Sequence, residues 1–585
     1  VNALEGLNDA QREAVTHSEG PLMVIAGPGT GKTKTLTARL VQLLQTGRAQ
    51  PDSVIALTFT NKAAAEMRDR VAAALGGDIQ LPRINTFHAL AQQFLARENQ
   101  ETLPIIDDAT RAQIVRSLKR KHAVKQWTAN ELGLMISRAK NQLAPPHDPT
   151  IATLVNAYNA ELAVRDVQDF DDVLLALYTA LRTEKVAQNL RPSHLLVDEF
   201  QDTNELQYAI VKLLAPHGNV AVIGDPLQSI YGFRGASAAV FDQFARDHPA
   251  AKRVTLTINY RSAAPVVQLA NAVFPNAPQL QAARPDVGTV RLVETLNEYG
   301  EADWIVRNIE RQIGGSDMLR GSDHHAAAGN HTFRDFAVLY RTHSIAKTVR
   351  KSLENSGIPY QVAGEDSPYM QPEVVTILQA LAFIAGTTER PEIEGFTRTQ
   401  LQTLLAPLCV RMPSSLTTCV TQIVATLAMP VSETLRQFMN SFVRYDDWPI
   451  TDYLNHIAEL AEQAYYDPAA EAVTLLSIHA AKGLEFPVIY VIGVEEGLLP
   501  HYHNARPTPQ HIAEEKRLFY VATTRARDEL YLLHARSRRR EPAQPTSFVR
   551  DLPPHILKRT TDDNLAAQQQ ASHRRAQKRA QGSLF

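Results

Sequence analysis

Cysteine is almost missing from this chain: Cys409 and Cys419 are the only two among 585 residues. Two thiols cannot complete a four-ligand metal site, and they do not point to an oxidising compartment; both read as buried core residues. Long apolar runs are missing too. None approaches the roughly 20 residues of a membrane span, and the N-terminus carries no signal-type apolar core. Nor does one sign of charge dominate, since 60 Lys and Arg stand against 62 Asp and Glu. That balance is a whole-chain average and leaves room for a local basic groove. With 44% hydrophobic and 21% charged residues, the composition is that of an ordinary soluble protein. The length implies about three to five domains.

What is present is a glycine-rich turn in an informative setting. Ala26-Gly-Pro-Gly-Thr-Gly-Lys-Thr33 lies between the apolar run Leu22–Ala26 and a helical pattern over Lys34–Leu44. A buried strand, a glycine turn and a helix N-terminus make an anion cradle, because backbone N–H groups and the helix dipole aim at one spot. Gly29, Thr30 and Gly31 shape the cradle, Lys32 can reach the β- and γ-phosphates of a nucleotide, and the Thr33 hydroxyl can ligate Mg²⁺. The strict pattern has glycine where this chain has Ala26.

Four further blocks fit a phosphate-transfer site. Ser193-His-Leu-Leu-Val-Asp-Glu-Phe-Gln-Asp202 reads as a buried strand ending in carboxylates. Asp198 there can hold Mg²⁺, and Glu199 is placed to orient and deprotonate an attacking water. Val220–Gly235 again runs strand into turn, and Gln228 at the strand tip can sense a γ-phosphate. Just beyond it, Tyr231, Phe233 and Arg234 suit base stacking or, equally, a small packed cluster. Arginines in Ile258–Ser262 and Glu514–Arg527 supply the positive charge that phosphoryl transfer needs.

In order and spacing these blocks closely resemble the motif set of the UvrD/Rep/PcrA-type superfamily 1 DNA helicases, from Leu7 to about Leu533. The resemblance implies an α/β protein: two RecA-like parallel-sheet motor domains, each with a mainly helical insertion. It puts Gln11 on the adenine, Tyr260 stacked on it, Arg261 and Arg525 on the γ-phosphate, and Glu485 at the ribose or the DNA-coupling network. Phe59, Asn61, His88, Tyr231, Phe233, Arg234 and His501 would line a single-strand track. Ile136–Asn141 and Asp169–Asp172 are similar to segments of the first insertion. Lys34 would also meet the nucleotide, standing where relatives often carry an arginine that sandwiches the base, so adenine selectivity is expected to be looser. Phe233 stands where a tryptophan is common, and Gly224–Gln228 is less acidic than the usual run.

The implied organisation is a first motor domain over 1–91 and 189–262, interrupted by a helical insertion at 92–188. A second motor domain follows over 263–365 and 471–545, with a shortened insertion at 366–470, and a disordered basic tail at 546–585. The implied activity is ATP- and Mg²⁺-dependent 3′→5′ unwinding of DNA in repair, replication restart or recombination, on single-stranded DNA and 3′-tailed duplex. The alternative is an ATP-gated single-strand translocase that remodels nucleoprotein and unwinds poorly alone. ATP would draw the motor domains together through Arg261 and Arg525. The chain is expected in a bacterial-type cytoplasm, associated with the nucleoid and not with membrane. Gln581-Gly-Ser-Leu-Phe585 resembles peptides that dock on sliding clamps, or is a chance match in a glutamine-rich tail. His324, His325 and His331 read as part of a surface loop and not as a metal site.

Overall fold

In the computed structural model, the described residues are 3–76, 80–97, 103–106, 108–183, 190–232, 235–284, 288–314, 331–363, 372–386, 393, 396–410, 415–432, 435–436, 438–439, 446, 450, 453–454, 466–502 and 507–562. They divide into two compact units. The first is Val1–Arg291 with Leu499–Leu530 and Thr546–Lys558; the second is Leu292–Leu498 with Tyr531–Pro545 and Arg559–Phe585.

Six strands build the sheet of the first unit: β1 (Leu22–Ala26), β2 (Val54–Thr58), β3 (Arg83–Thr86), β4 (His194–Val197), β5 (Val220–Gly224) and β6 (Lys252–Leu256). Their order is β3-β2-β4-β5-β1-β6, and neighbours run parallel. Every residue of β2 and β5 is buried, as a sheet covered on both faces requires. Side chains alternate between the faces. Leu22, Val24, Ala56 and Ile223 pack with Leu36 and Leu40 of α2 (Lys32–Gln45) and Met67 of α3 (Asn61–Leu75). Met23, Ile55, Leu57, Val197 and Val222 face the opposite layer, which contains Phe87 and Leu90 of α4 (Phe87–Arg97). Because the strands are parallel, the loops leaving their C-terminal ends share one edge. Residues 27–31, 59–60, 198–204, 225–232 and 257–261 all leave from that edge.

The helical stretch 92–188 divides in two. Ile114 and Leu118 of α5 (Asp108–Lys121), Leu132 and Ile136 of α6 (Ala129–Lys140), and Leu154, Tyr158 and Leu162 of α7 (Pro149–Val164) form a separate core. By contrast, α8 (Phe170–Leu181) lays Val173, Leu174, Leu177 and Leu181 into the sheet's own core. Its apolar stripe is wide enough to cover the sheet layer beside α4. The two parts are tied by charge: buried Lys140 reaches Asp169 and Asp172, each at 2.8 Å, and Asp171 accepts from Ser137 (2.7 Å) and Asn141 (2.6 Å).

After the short parallel pair β7 (Ile258–Asn259) and β8 (Gln281–Ala282), the second unit has a seven-stranded sheet. Its strands are β9 (Thr289–Thr295), β10 (Phe336–Tyr340), β11 (Tyr360–Ala363), β12 (Val473–Ser477), β13 (Phe486–Val491), β14 (Ala526–Ala535) and β17 (Lys558–Thr561), in the order β11-β12-β10-β13-β14-β9-β17. Strand β10 lies between β12 and β13, parallel to both. Between β11 and β12, the helices Pro372–Ile384, Arg398–Val410 and Leu416–Thr426 share one apolar cluster. Cys419 is buried in it, but Cys409 is exposed, contrary to the reading of both as core. In its helix Leu401, Leu405 and Leu408 take the inward stripe, and Cys409 falls one position off it.

Residues 546–562, assigned by composition to a disordered tail, are ordered: Thr546 caps the short helix Ser547–Arg550, Phe548 and Val549 are buried, and β17 joins the sheet edge. Residues 499–530, which the resemblance gives to the second motor domain, cluster with the first unit. Ser262 Oγ donates to the Ala526 carbonyl (2.8 Å), the Ala263 amide to Arg527 (2.8 Å), and Arg284 pairs with Asp528 at 2.7 Å. Phe233, Arg234, His324, His325 and residues 581–585 lie outside the described residues. No described helix is long and apolar enough to cross a membrane.

Candidate active site

The glycine turn leaves β1 and enters α2 through Gly31. Gly29 and Gly31 have φ of +66° and +81°, where a side chain is disfavoured. Space forbids one as well. A Cβ on Gly29 would come within 2.7 Å of Arg261 Cβ, and one on Gly31 within 2.8 Å of Gln11 Nε2. Ala26 belongs to β1, fully buried and paired with Leu256, so alanine in place of glycine there meets no conformational demand. The Ala26 carbonyl accepts from Lys32 Nζ at 3.3 Å, and Thr30 Oγ1 donates to the Gly27 carbonyl at 2.7 Å. Lys32 and Thr33 open α2, so the free amides of its first turn face the same cradle.

Block 258–262 is bolted directly onto this turn. Asn259, 1% exposed, donates from Nδ2 to the Pro28 carbonyl (2.8 Å), and its Oδ1 accepts from the amides of Arg261 (2.9 Å) and Ser262 (2.8 Å). The Tyr260 amide donates to the Gly29 carbonyl at 2.8 Å. Tyr260 itself is exposed, and its hydroxyl accepts from Asn8 Nδ2 at 2.9 Å. Asn8 caps α1 (Asp9–Thr16) in a capping box with Gln11. Buried Gln11 uses its oxygen on the Asn8 amide (3.1 Å) and its Nε2 on the Thr30 carbonyl (2.9 Å). Lys34 Nζ donates to the Gly6 carbonyl at 2.7 Å. Arg39 of α2 reaches back to the carbonyls of Ala14 and His17 and holds the end of α1 in place.

On the other side stand the acids. Asp198 follows β4 and is buried; its amide donates to Leu57 (2.8 Å), and its carboxylate accepts from the Glu199 amide (2.9 Å). Burial, reinforced by the Glu199 charge, pushes Asp198 up to about 7. Glu199 sits at φ 47°, a left-handed position that turns the chain sharply after the strand. A polar chain then crosses the strand ends. Gln201 Nε2 bonds Glu199, and its Oε1 accepts from the Asp225 amide at 2.9 Å. Asp225 accepts from Gln228 Nε2 at 2.7 Å, and Gln228 Oε1 accepts from Arg525 at 3.4 Å. Burial also raises Asp225, partly offset by the charge of Lys32. Arg525, 2% exposed, is further held by the Val521 carbonyl (3.0 Å) and Thr524 Oγ1 (3.2 Å).

One compact unit therefore contains the turn 29–33, Gln11, Lys34, Tyr260, Arg261, Asp198, Glu199, Gln228 and Arg525. Glu485 is exposed and belongs to the second unit. Three side chains that knit the site together, Asn259, Gln201 and Asp225, fell inside blocks singled out by sequence but carried no chemistry that marked them. Their signal is positional: each is an uncharged amide or an acid one to four residues past a strand end.

Of the strand-contact candidates, Phe59, Asn61 and His88 follow the ends of β2 and β3 at the same edge. Phe59, after β2, stacks on Tyr231, with ring centres 5.4 Å apart and planes 12° apart. Asn61 at the start of α3 accepts from Thr86 Oγ1 (3.2 Å). His88 on α4 meets Phe170 edge-on at 5.7 Å, and burial lowers it to about 4, so its imidazole is neutral near pH 7. The His501 amide donates to Glu515 (2.9 Å), and its carbonyl contacts His511 Nε2 (2.7 Å).

The sequence matches the family model of the UvrD/REP helicase N-terminal domain over residues 7–249. It matches that of the UvrD-like helicase C-terminal domain over 254–394 and 424–537. Among curated proteins it is similar to the ATP-dependent DNA helicase PcrA of Leuconostoc citreum, at 32% identity across 94% of this chain and 85% of that protein. PcrA of Staphylococcus aureus strain Mu50 is 28% identical across 95% of this chain and 88% of its own.

Proposed function

Since the chain belongs to the UvrD/Rep family of helicases, we propose that it couples ATP hydrolysis to 3′→5′ movement along single-stranded DNA and so unwinds the duplex ahead. It is an ATP-dependent DNA helicase; the direction follows the polarity that the family resemblance implies, and the roles below rest on the site. The observation that carries them is the pair of bonds from Asn259 to Pro28 and from Tyr260 to Gly29, which seats a stacking ring and an arginine on the phosphate turn. Tyr260 takes the adenine, with Gln11 and Lys34 beside it, and the amides of 29–33 with Lys32 take the phosphates. Arg261 and Arg525 meet the charge that grows on the γ-phosphate, and Glu199 orients and deprotonates the attacking water. Gln228 touches both Asp225 and Arg525, so loss of the γ-phosphate at Arg525 is passed through Gln228 to the acid side of the site.

The residues fit a divalent cation: Asp198 is a buried carboxylate whose charge is opposed by Glu199, and Thr33 offers a hydroxyl from the turn. Mg²⁺ held there would neutralise phosphate charge during transfer.

For the strand, Phe59 and Tyr231 provide stacking faces worth roughly 1–3 kcal/mol per base. Opening one base-pair step costs about 1.4 kcal/mol on average. The two are comparable, so a stacked base resists back-sliding without trapping the strand. Neutral His88 serves by shape, with Asn61 positioned by the Thr86 hydroxyl and His501 held through its own amide and carbonyl. The activity suits repair, replication restart or recombination, and the 581–585 peptide is a candidate clamp tether, tested by deleting it and repeating a clamp pull-down. The deciding experiment compares unwinding and ATPase on 3′-tailed, 5′-tailed and blunt duplexes. Unwinding of the 3′-tailed substrate alone, lost together with ATPase in Lys32→Ala, is the expected result. A preference for the 5′ tail would reverse the direction. ATPase and strand movement without strand displacement would favour the remodelling translocase.

A further inference from the structure

Arg261 and Arg525 reach the site on segments far apart in the sequence, one just past β7 and one just before β14. The residues that follow each arginine are laced together. Ser262 Oγ donates to the Ala526 carbonyl and the Ala263 amide to the Arg527 carbonyl, each at 2.8 Å. The chain entering β9 closes over this seam at Gly288. A Cβ there would come within 2.4 Å of Ala263 Cβ and 2.6 Å of the Asp528 carbonyl oxygen, so only glycine fits.

Arg284 lies across the seam. Its Nη1 donates to the Arg261 carbonyl at 2.9 Å, and its Nη2 donates to Asp528 Oδ1 at 2.7 Å. One planar guanidinium thus ties the backbone of the first arginine to a carboxylate three residues past the second. The Arg261 peptide is gripped from both sides, since its amide already donates to Asn259. Asp528 also accepts from Arg527 Nε at 2.9 Å. Burial alone would raise Asp528, but its bonds to Arg284 and Arg527 outweigh that and hold its carboxyl below the ordinary aspartate range. The side chains of Arg284 and Asp528 are 29% and 26% exposed, so water screens the pair and its contribution to stability is modest. What it supplies is geometry.

We propose that Arg284 is a positioning residue for phosphoryl transfer, fixing the spacing of the two segments so that Arg261 and Arg525 converge on one phosphate. Such transfer depends almost wholly on positioning and on stabilising charge. A misplacement of about 1 Å, caused by a residue outside the chemistry, can cost about 10²-fold in rate. Lysine is no substitute, because a point charge on a flexible stem holds one partner where the rigid fork holds two. The inference rests on the reading of Arg261 and Arg525 as the γ-phosphate arginines.

The test compares Arg284→Ala, Arg284→Lys, Asp528→Ala and the double Arg284→Ala/Asp528→Ala with Arg261→Ala and Arg525→Ala. All are made in the full chain and assayed for ATPase with saturating single-stranded DNA. Calorimetry adds the affinity for ADP alone and for ADP with aluminium fluoride, which mimics the transferring phosphoryl group. Arg284→Ala should lower kcat by about 10²-fold, with KM for ATP and affinity for ADP at wild-type values. Affinity for the fluoride complex should fall by a similar factor. Arg284→Lys should recover little of the rate, and the double variant should fall no further than the lower single, since either change breaks the same bridge. Wild-type kcat in folded Arg284→Ala would overturn the proposal, as would a loss confined to KM, full rescue by lysine, or additive losses in the double variant. If Arg284→Ala does not fold, wild-type kcat in Asp528→Ala overturns it equally. Wild-type turnover in both Arg261→Ala and Arg525→Ala would instead overturn the reading of those two arginines.

Discussion

Two of the places where the molecule buries acid groups meet them with different partners. In the second unit, Glu301 and Glu495 share Arg538, which their charges hold protonated well above the ordinary arginine range. In the first, Asp198 has Glu199 beside it, and burial with that like charge raises it to about 7. A buried charge met by a counter-charge and satisfied hydrogen bonds is finished structure. A buried acid pushed toward neutrality by its neighbours is a site prepared for something that arrives. Burial raises Glu301 as well, so what separates the two places is the Arg538 counter-charge seated between the acids of the second unit.

The contrast can be sharpened by removing arginines. Arg525→Ala should lower the ATP turnover rate by about 10³–10⁵, seen in steady-state ATPase with DNA, while the fold, followed by circular dichroism, survives. Arg538→Ala should do the reverse. Stranding two buried carboxylates costs about 3–5 kcal/mol, to be read as a fall in the urea midpoint, and replacing Glu301, Glu495 and Arg538 together with apolar residues should restore most of it. If Arg538→Ala left stability intact, the triad would not be scaffold.

A smaller effect probes the strand edge. Phe59→Ala should weaken single-strand binding by roughly 1–3 kcal/mol with its salt slope unchanged, measured by fluorescence anisotropy. His88 tests the electrostatic side of the same edge. Its folded pKa of about 4 lies below the ordinary 6.5, so the unfolded chain binds the extra proton between those values. Its contribution to stability is complete above pH 6.5 and is lost as pH falls toward 4. His88→Phe should flatten the loss of stability between pH 6.5 and 4.5, and at pH 7 it should leave the DNA salt slope as it was.

Three strands of the first sheet, β1, β4 and β5, were legible because they are short, almost wholly apolar and run into glycine or acid. Lys32, Thr33, Asp198 and Glu199 are chemically distinctive at strand ends and could be named from their surroundings. Asn259, Gln201 and Asp225 could not, since a short polar side chain means little until its partner is known, and Asn259 Nδ2 bonds a carbonyl 231 positions away in sequence. Cys409 and the 546–562 segment were misjudged for a related reason. Composition reports what a residue prefers, whereas the helix stripe at Leu401, Leu405 and Leu408 and the sheet edge that receives β17 decide where it goes.

By itself, then, the sequence determined where a phosphate-binding turn is expected, at residues 29–33, and which carboxylates and arginines are candidates to serve it, because those turns are local and their chemistry resides in single residue types. Only the tertiary structure decided which polar groups link them, that Arg525 sits against Gln228, and that Arg538 is consumed inside. The physical reason is that burial and pairing set the meaning of a charge, and both come from residues far apart along the chain.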